Sequence, residues 1–301
     1  MNRSETEGKS GSHSTVSSTT TTRLAGFWLI VARAAWLVLV VPSLGLFVVG
    51  LPVYDQQLQR AQTCGPADCL FGGLTTTDLQ TLSAHGIPVS GYAAVFIVFF
   101  VLTAVVWLVV GFLLFWRRSD DSLALLASFT LVMNGVAFGS SSLYALVLTF
   151  PIFDLPVSLI QFLGSASIPV FLLFFPTGRL VPRWIGPILP LIIGFVFVDT
   201  LPSTGAHFDA NWPGWLSGPG TIVLYGAIIF SQLYRYRGVS TPVQRQQTKW
   251  VVFGVTVALG TFVGLLVISG LFPSFPTLFA NAGWTITLPI ASLAVPLSIG
   301  F

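Results

Sequence analysis

The sequence predicts an all-α fold, a polytopic bundle of about eight transmembrane helices with both chain ends on the cytoplasmic side. Of the 301 residues, 54% are hydrophobic and 8% are charged, whereas soluble domains carry about 25% charged residues. The mean hydropathy is +0.86. Segments such as 95–115 are apolar on every face, which excludes the alternating pattern of a membrane β-barrel. The bilayer is therefore the expected solvent for most of the chain.

Apolar segments long enough to cross a hydrocarbon layer follow one another along the chain. The first is too long for the apolar region of a signal peptide, so we expect it to remain as an anchor. Before it, residues 1–26 form a Ser/Thr-rich cytoplasmic tail, which has too little apolar surface to order itself. Pro151 and Pro156 mark a tight turn between the third and fourth spans. The predicted spans are 27–53, 91–116, 122–149, 153–175, 184–202, 220–236, 249–272 and 283–301.

Basic residues set the predicted orientation, because Lys and Arg near membrane segments stay on the cytoplasmic side. The outward loops hold only Arg60, and Arg33 in the first span is expected to extend back to the cytoplasmic interface. The net charge of +3 is thus explained by topology, and the scattered basic residues do not form a nucleic-acid surface. The predicted cytoplasmic side holds Arg3, Lys9, Arg23, Arg117, Arg118, Arg179, Arg183, Arg235, Arg237, Arg245 and Lys249.

The largest outward loop, 54–90, carries both cysteines, Cys64 and Cys69. A disulfide between them is the preferred interpretation for an oxidising compartment, ahead of two unpaired thiols and of a metal site. Two cysteines and His85 are too few ligands for zinc. Further along this loop, residues 75–82 combine hydroxyl and acidic capping residues with apolar side chains three positions apart. They predict a short amphipathic helix on the outer face, stopped at Gly86.

A second outward loop, 203–219, contains a candidate sensing surface made of His207, Asp209, Trp212 and Trp215. One interpretation is an aromatic-lined lip of a ligand pocket with His207 and Asp209 as polar contacts. The favoured interpretation is an aromatic anchor at headgroup level, where Trp is enriched.

Few polar residues lie inside the predicted spans, the notable ones being Asn134, Tyr144, Gln161, Asp199 and Gln232. We expect Asn134 and Gln161 to form hydrogen bonds between helices, helped by nearby small residues such as Gly135. Asp199 lies near the outer end of its span, where it can reach water, so a proton or ion role is the less favoured interpretation.

Signatures of catalysis are missing from the sequence. It contains no phosphate-binding Gly-x-x-x-x-Gly-Lys loop, no His-Glu-x-x-His zinc motif and no Gly-x-Ser-x-Gly elbow. No catalytic residue, cofactor or metal ligand is therefore predicted.

Two predicted cytoplasmic loops, 175–184 and 234–250, have sequence features beyond the basic residues that set the orientation of the chain. Pro242 can occupy the first position of a helix capped by Ser240 or Thr241, and that helix would run directly into the seventh span. Such a rigid connection could pass motion between membrane and cytoplasm. The alternative is that both loops are basic topology anchors and nothing more. The candidate signal-coupling residues are Arg179, Arg183, Arg245 and Lys249.

Residues 27–301 resemble the multi-helix membrane input regions of bacterial sensor histidine kinases. Segments 115–121, 175–184 and 242–250, together with the outward Cys64/Cys69 loop, carry the resemblance. It implies a multi-pass protein of the bacterial inner membrane, a homodimer that passes an external or membrane stimulus to a cytoplasmic kinase module in cis or in trans.

The phosphoacceptor and ATP-binding domains of that family are not among these residues, so no enzymatic activity is expected of them. The stimulus and its ligand are not specified by the sequence. The alternative function is a small permease or transporter subunit, or an accessory membrane protein.

Overall fold

The computed structural model of the protein consists of helices joined by turns over the residues that it describes, with no strand among them. Those residues are 23–62, 70, 72–137, 140–176, 178–180, 185–200, 220, 223–224, 226–232, 234, 242–271 and 286–300. The all-α prediction is confirmed for this part of the chain. The predicted disordered tail lies almost entirely outside it.

Ten α-helices with defined ends and one 3₁₀ turn, Pro151–Phe153, follow in order among the described residues. A further helical stretch covers residues 226–232. The helices are α1 (Phe27–Leu58), α2 (Thr76–Ala84), α3 (Val89–Arg118), α4 (Ser122–Ala137), α5 (Ser140–Thr149), α6 (Asp154–Phe174), α7 (Ile188–Thr200), α8 (Pro242–Leu271), α9 (Leu288–Ser292) and α10 (Ala294–Gly300).

Three helices in the described part of the chain are long and apolar enough to cross a membrane: α1, α3, and α6 with its preceding turn. A fourth span results if α4 and α5 are counted together, although they are bent by 55° relative to one another. These four coincide with the first four predicted spans, and the 3₁₀ turn lies at the predicted break after residue 149. The remaining apolar helices are shorter, so the count of eight stays a prediction.

Because of this bend, the two halves of the α4–α5 span pack against different helices. Helix α4 packs between α3 and α6, whereas α5 packs mainly against α1. Close approach depends on glycines: a Cβ atom at Gly135 would lie 2.8 Å from Trp107 Cβ, and one at Gly164 would lie 2.8 Å from Ala137 Cβ. The expectation that small residues bring these helices together is confirmed at Gly135.

The two ends of the bundle can be told apart by their contacts. At one end the Leu24 amide donates to the Asp120 carbonyl over 2.7 Å, which joins the start of α1 to the turn between α3 and α4. At the other end the Gln57 side-chain amide donates to the Thr149 hydroxyl over 3.4 Å. The predicted sidedness requires Arg23 and Arg117 to share an end that excludes Arg60, and the fold has this arrangement.

Candidate functional site

The described residues between α1 and α3, which are 59–62, 70 and 72–88, pack onto the ends of α1, α3 and α5, and we call them the cap. Tyr54 and Leu58 at the end of α1 are buried against Leu70 of the cap and Phe96 of α3. Ala145 of α5 completes this cluster. The cap is therefore part of the same packed structure as three of the membrane helices.

Helix α2 in the cap begins with a capping box, as its sequence predicts. The Asp78 amide donates to the Thr75 hydroxyl oxygen over 3.2 Å, and the Thr75 amide donates to the Asp78 carboxylate over 3.0 Å. The Thr75 hydroxyl also donates to that carboxylate over 2.7 Å. Asp78 and Leu82 face inward and are only 5% and 3% exposed. The buried face of α2 thus packs on the protein itself.

Gln62 joins the two ends of the loop that precedes α2. Its main-chain amide donates to the Leu74 carbonyl, and its side-chain oxygen accepts from the Leu70 amide, both over 2.9 Å. These bonds hold together the two flanks of segment 63–69. Cys64 and Cys69 lie outside the described residues, so the disulfide between them stays a prediction.

Tyr92 at the start of α3 connects the cap to the bundle. Its hydroxyl donates to the Gly72 carbonyl over 3.0 Å, and its ring centroid lies 4.4 Å from that of Phe96. Gly72 has φ +80°, a left-handed conformation that favours glycine, and a Cβ atom there would collide with the Phe96 ring. The hydrogen bond between Tyr92 and Gly72 therefore depends on the left-handed backbone conformation of this glycine.

A buried polar cluster joins α4 to α6 in the middle of the bundle. The Asn134 side-chain amide lies 2.7 Å from the Thr130 carbonyl, 3.2 Å from the Gly164 carbonyl and 3.2 Å from Ser167 Oγ. Ser167 in turn donates to Gly164 over 2.7 Å. The predicted interhelical bond of Asn134 is confirmed. Gln161 differs, since its side-chain nitrogen is buried and has no hydrogen-bond partner.

At the end of the bundle opposite the cap, α6 is joined to the helical residues 226–232. The Gln232 side-chain amide donates to the Leu172 carbonyl. This carbonyl needs an outside donor because the residue four positions on, Pro176, has no N–H. Apolar side chains surround this bond. They include Phe171 of α6, Ile228 and, from α8, Val251. We call this group, residues 171–176 with 226–232 and Val251, the junction.

The structure locates the candidate signal-coupling loops only in part. Arg179 and Lys249 are exposed, and α8 runs without interruption from Pro242 to Leu271, as the sequence predicts. Arg183 lies outside the described residues, and so does the side chain of Arg245. Lys249 precedes the junction residue Val251 by two positions, which places this loop next to the junction.

The candidate sensing loop is outside the described residues, including His207, Asp209, Trp212 and Trp215. Both interpretations of that loop stay open. Asp199 is exposed in the last turn of α7, near the end of the helix as predicted.

Sequence reasoning missed the bond between Gln232 and Leu172, although a signal was available. A proline four residues after Leu172 leaves one helical carbonyl unpaired, and a buried glutamine elsewhere in the chain could supply a donor. It also missed the burial of Asp78, which was read only as a capping residue.

The class of protein that these observations indicate is a helical membrane protein, because three of its described helices, or four spans with the bent pair, are long and apolar enough to cross a membrane, and a folded cap packs onto their ends. Comparison with models of protein families, with curated proteins and with solved structures finds no match to this chain. Any more particular function is therefore argued from the residues themselves.

Proposed function

We propose that the protein is a membrane-embedded signal-input unit of the bacterial inner membrane, with eight spans and both ends in the cytoplasm. As a homodimer, it would pass an external or membrane stimulus to a cytoplasmic kinase module in cis or in trans. The observation that carries the proposal is the continuous path of packed and hydrogen-bonded contacts from the cap to the junction. Because the sequence resembles kinase input regions, we expect the signal to pass along this path from the cap to the junction.

The path begins where the cap meets three helices. Tyr92 bonds α3 to Gly72, and Leu70 packs against Tyr54 of α1. Because Asp78 lies buried on the inward face of α2, a stimulus that moves this helix must also move the residues packed against that face. A change at the cap surface would therefore reach the ends of α1, α3 and α5.

The middle of the path crosses from α4 to α6. Helix α5 packs against α1, whereas α4 packs against α3 and α6. The span made of α4 and α5 therefore contacts both groups of helices. The Asn134 cluster fixes α4 to α6 by direct bonds to Gly164 and Ser167. A rotation of α4 would thus be transmitted to α6.

The path ends at α8. Gln232 holds the end of α6, and Val251 of α8 packs in the same buried cluster as Leu172. Since α8 is continuous from Pro242, movement at the junction would displace residues 242–249 as a unit. A stimulus can drive such a shift only if it binds the two arrangements with different affinity.

The test is a chimera in which a histidine-kinase module follows residue 301 in frame. Asp78→Ala, which loosens the cap, should change autophosphorylation several-fold. Gln80→Ala on the exposed face of the same helix should leave it unchanged. Adding Gln232→Leu should abolish the effect of Asp78→Ala. Equal autophosphorylation by the unmutated chimera and its three variants, each inserted and folded, would overturn the proposal.

A permease or transporter subunit is the second candidate, and one observation favours it. The 55° bend between α4 and α5 lies next to the Asn134 cluster, and solute sites in transporters are often built where a membrane helix is discontinuous. Uptake of a solute into proteoliposomes that is lost in Asn134→Leu, but kept in Gln161→Leu, would favour this function over signal input.

A further inference from the structure

We propose that the seam between α1 and α3, at the end opposite the cap, binds the headgroup of an anionic phospholipid, with Arg33 contacting the phosphate. This inference is independent of the proposed function, since a receptor and a transporter both require a defined position in the bilayer.

Arg33 is exposed on α1 six residues after the helix begins at Phe27, which at 1.5 Å per residue is about 9 Å along the helix. A charge within an apolar helix that enters a bilayer is costly unless an anion or water compensates it. An arginine side chain can extend toward the interface and bind a phosphate with two parallel hydrogen bonds. We therefore expect an anion to lie beside Arg33 on the lipid-facing surface.

The register of α1 and α3 places further basic groups at the same height. Trp36 stacks on Phe115 with ring centroids 4.0 Å apart, and its ring lies edge-on to Phe112 at 5.4 Å. Because the two helices run antiparallel, Arg33, one turn before Trp36, is level with the turn that follows Phe115. Arg117 and Arg118 lie in that turn, and both are exposed.

The described carboxylates at this end are engaged elsewhere. Asp120 pairs with Arg23 at 3.8 Å, and Asp121 accepts a hydrogen bond from the Leu123 amide over 2.9 Å at the start of α4. The other described acids, Asp55, Asp78, Asp154 and Asp199, lie in helices or turns near the opposite end of the bundle. The positive charge of the seam therefore lacks a protein counter-ion among the described residues.

Aromatic side chains around the seam fit the same occupant. Trp116 is 88% exposed, and Phe27 and Trp28 are 71% and 69% exposed. Indole rings are favoured at headgroup level, where an apolar body meets a polar layer. Exposed arginines flanked by exposed tryptophans match a lipid headgroup above acyl chains better than they match a soluble anion.

The experiment reconstitutes the full chain in vesicles of equal phosphatidylglycerol and phosphatidylcholine, then counts retained lipids by native mass spectrometry. The wild-type chain should keep at least one phosphatidylglycerol in preference to phosphatidylcholine. Arg33→Gln should bind it about tenfold more weakly, the loss expected for one charge-assisted contact. Arg33→Lys should be intermediate, because lysine keeps the charge without the bidentate geometry.

Arg60→Gln is the matched control, since Arg60 is exposed at the opposite end of α1, and it should bind as the wild type does. If Arg33→Gln does not fold, the Arg117→Gln/Arg118→Gln double variant supplies the same comparison at the same level. Undiminished retention in the folded variant, or equal retention of phosphatidylcholine by the wild type, would overturn the proposal. Displacement of the lipid by an equal concentration of inorganic phosphate would overturn it as well.

Discussion

The cap and the junction are both held by hydrogen bonds, but the partners lie at very different distances along the chain. In the cap, Thr75 bonds Asp78 three residues away and Gln62 bonds Leu70 eight residues away. In the junction, Gln232 bonds Leu172 across 60 residues. The cap is therefore mostly local structure, whereas the junction exists only when α6 and residues 226–232 have already been brought together.

This difference predicts how each region responds to mutation. Loss of a local bond should loosen the cap and leave the bundle intact, because stability is not uniform across a structure. Loss of a bond between distant segments should lower the stability of the assembled bundle. Four variants test this distinction.

Gly50→Ala should have the largest effect. A Cβ atom at Gly50 would lie 2.5 Å from the backbone oxygen of Ser142, so α1 and α5 would have to separate beneath the cap. Overpacking of this kind costs about 1–3 kcal/mol. Gly45→Ala in the same helix meets nothing within 4 Å and should be neutral or stabilising by up to about 1 kcal/mol. Equal thermal unfolding midpoints for the two variants in detergent would show that the α1–α5 contact is looser than described.

Asp78→Ala should cost about 1 kcal/mol, the usual value of a helix N-terminal capping interaction. Hydrogen exchange should become faster for the backbone amides of α2 while those of α6 keep their protection. Gln80→Ala, on the exposed face of α2, serves as the control. If exchange rises equally in α2 and α6, the cap is not the local unit that its hydrogen bonds indicate.

Gln232→Leu should cost about 0.6 kcal/mol, the average of hydrogen bonds between membrane helices. The loss is moderated because the side-chain oxygen of Gln232 is itself buried without a partner. Gln161→Leu is the matched control, since its side-chain nitrogen makes no hydrogen bond, and it should be neutral or stabilising. The unfolding midpoint of the whole chain should fall only for Gln232→Leu; the reverse order of the two midpoints would contradict the assignment of the junction.

Arg23→Ala should have the smallest effect. The Arg23 and Asp120 side chains are 78% and 47% exposed and 3.8 Å apart, and pairs of this kind contribute between about 0 and 1 kcal/mol before screening by salt. The unfolding midpoint should be unchanged within error at physiological ionic strength. A decrease as large as that of Gln232→Leu would mean that this ion pair, and not the neighbouring Leu24–Asp120 backbone bond, joins the two segments.

Much of the fold as far as residue 174, and the start of α8, could be predicted from the sequence. The first four spans, the break after residue 149, the α2 helix with its Thr75 cap and the start of α8 at Pro242 all agree with the described structure. Each depends on signals contained within a few residues or on a run of apolar side chains. The expected bond of Asn134 was correct, but its partners could not be named.

Composition and local patterns are enough to predict that the protein is helical, which segments are apolar enough to span a membrane, and where local caps and prolines begin or end a helix. They do not predict that α4 and α5 pack against different helices, that Asn134 bonds Gly164 and Ser167, or that Gln232 completes the end of α6. The reason is physical. Membrane helices are apolar on nearly every side, so the pattern of side chains does not specify which face meets a neighbour, and partners separated by 30 to 60 residues are chosen only when the helices pack.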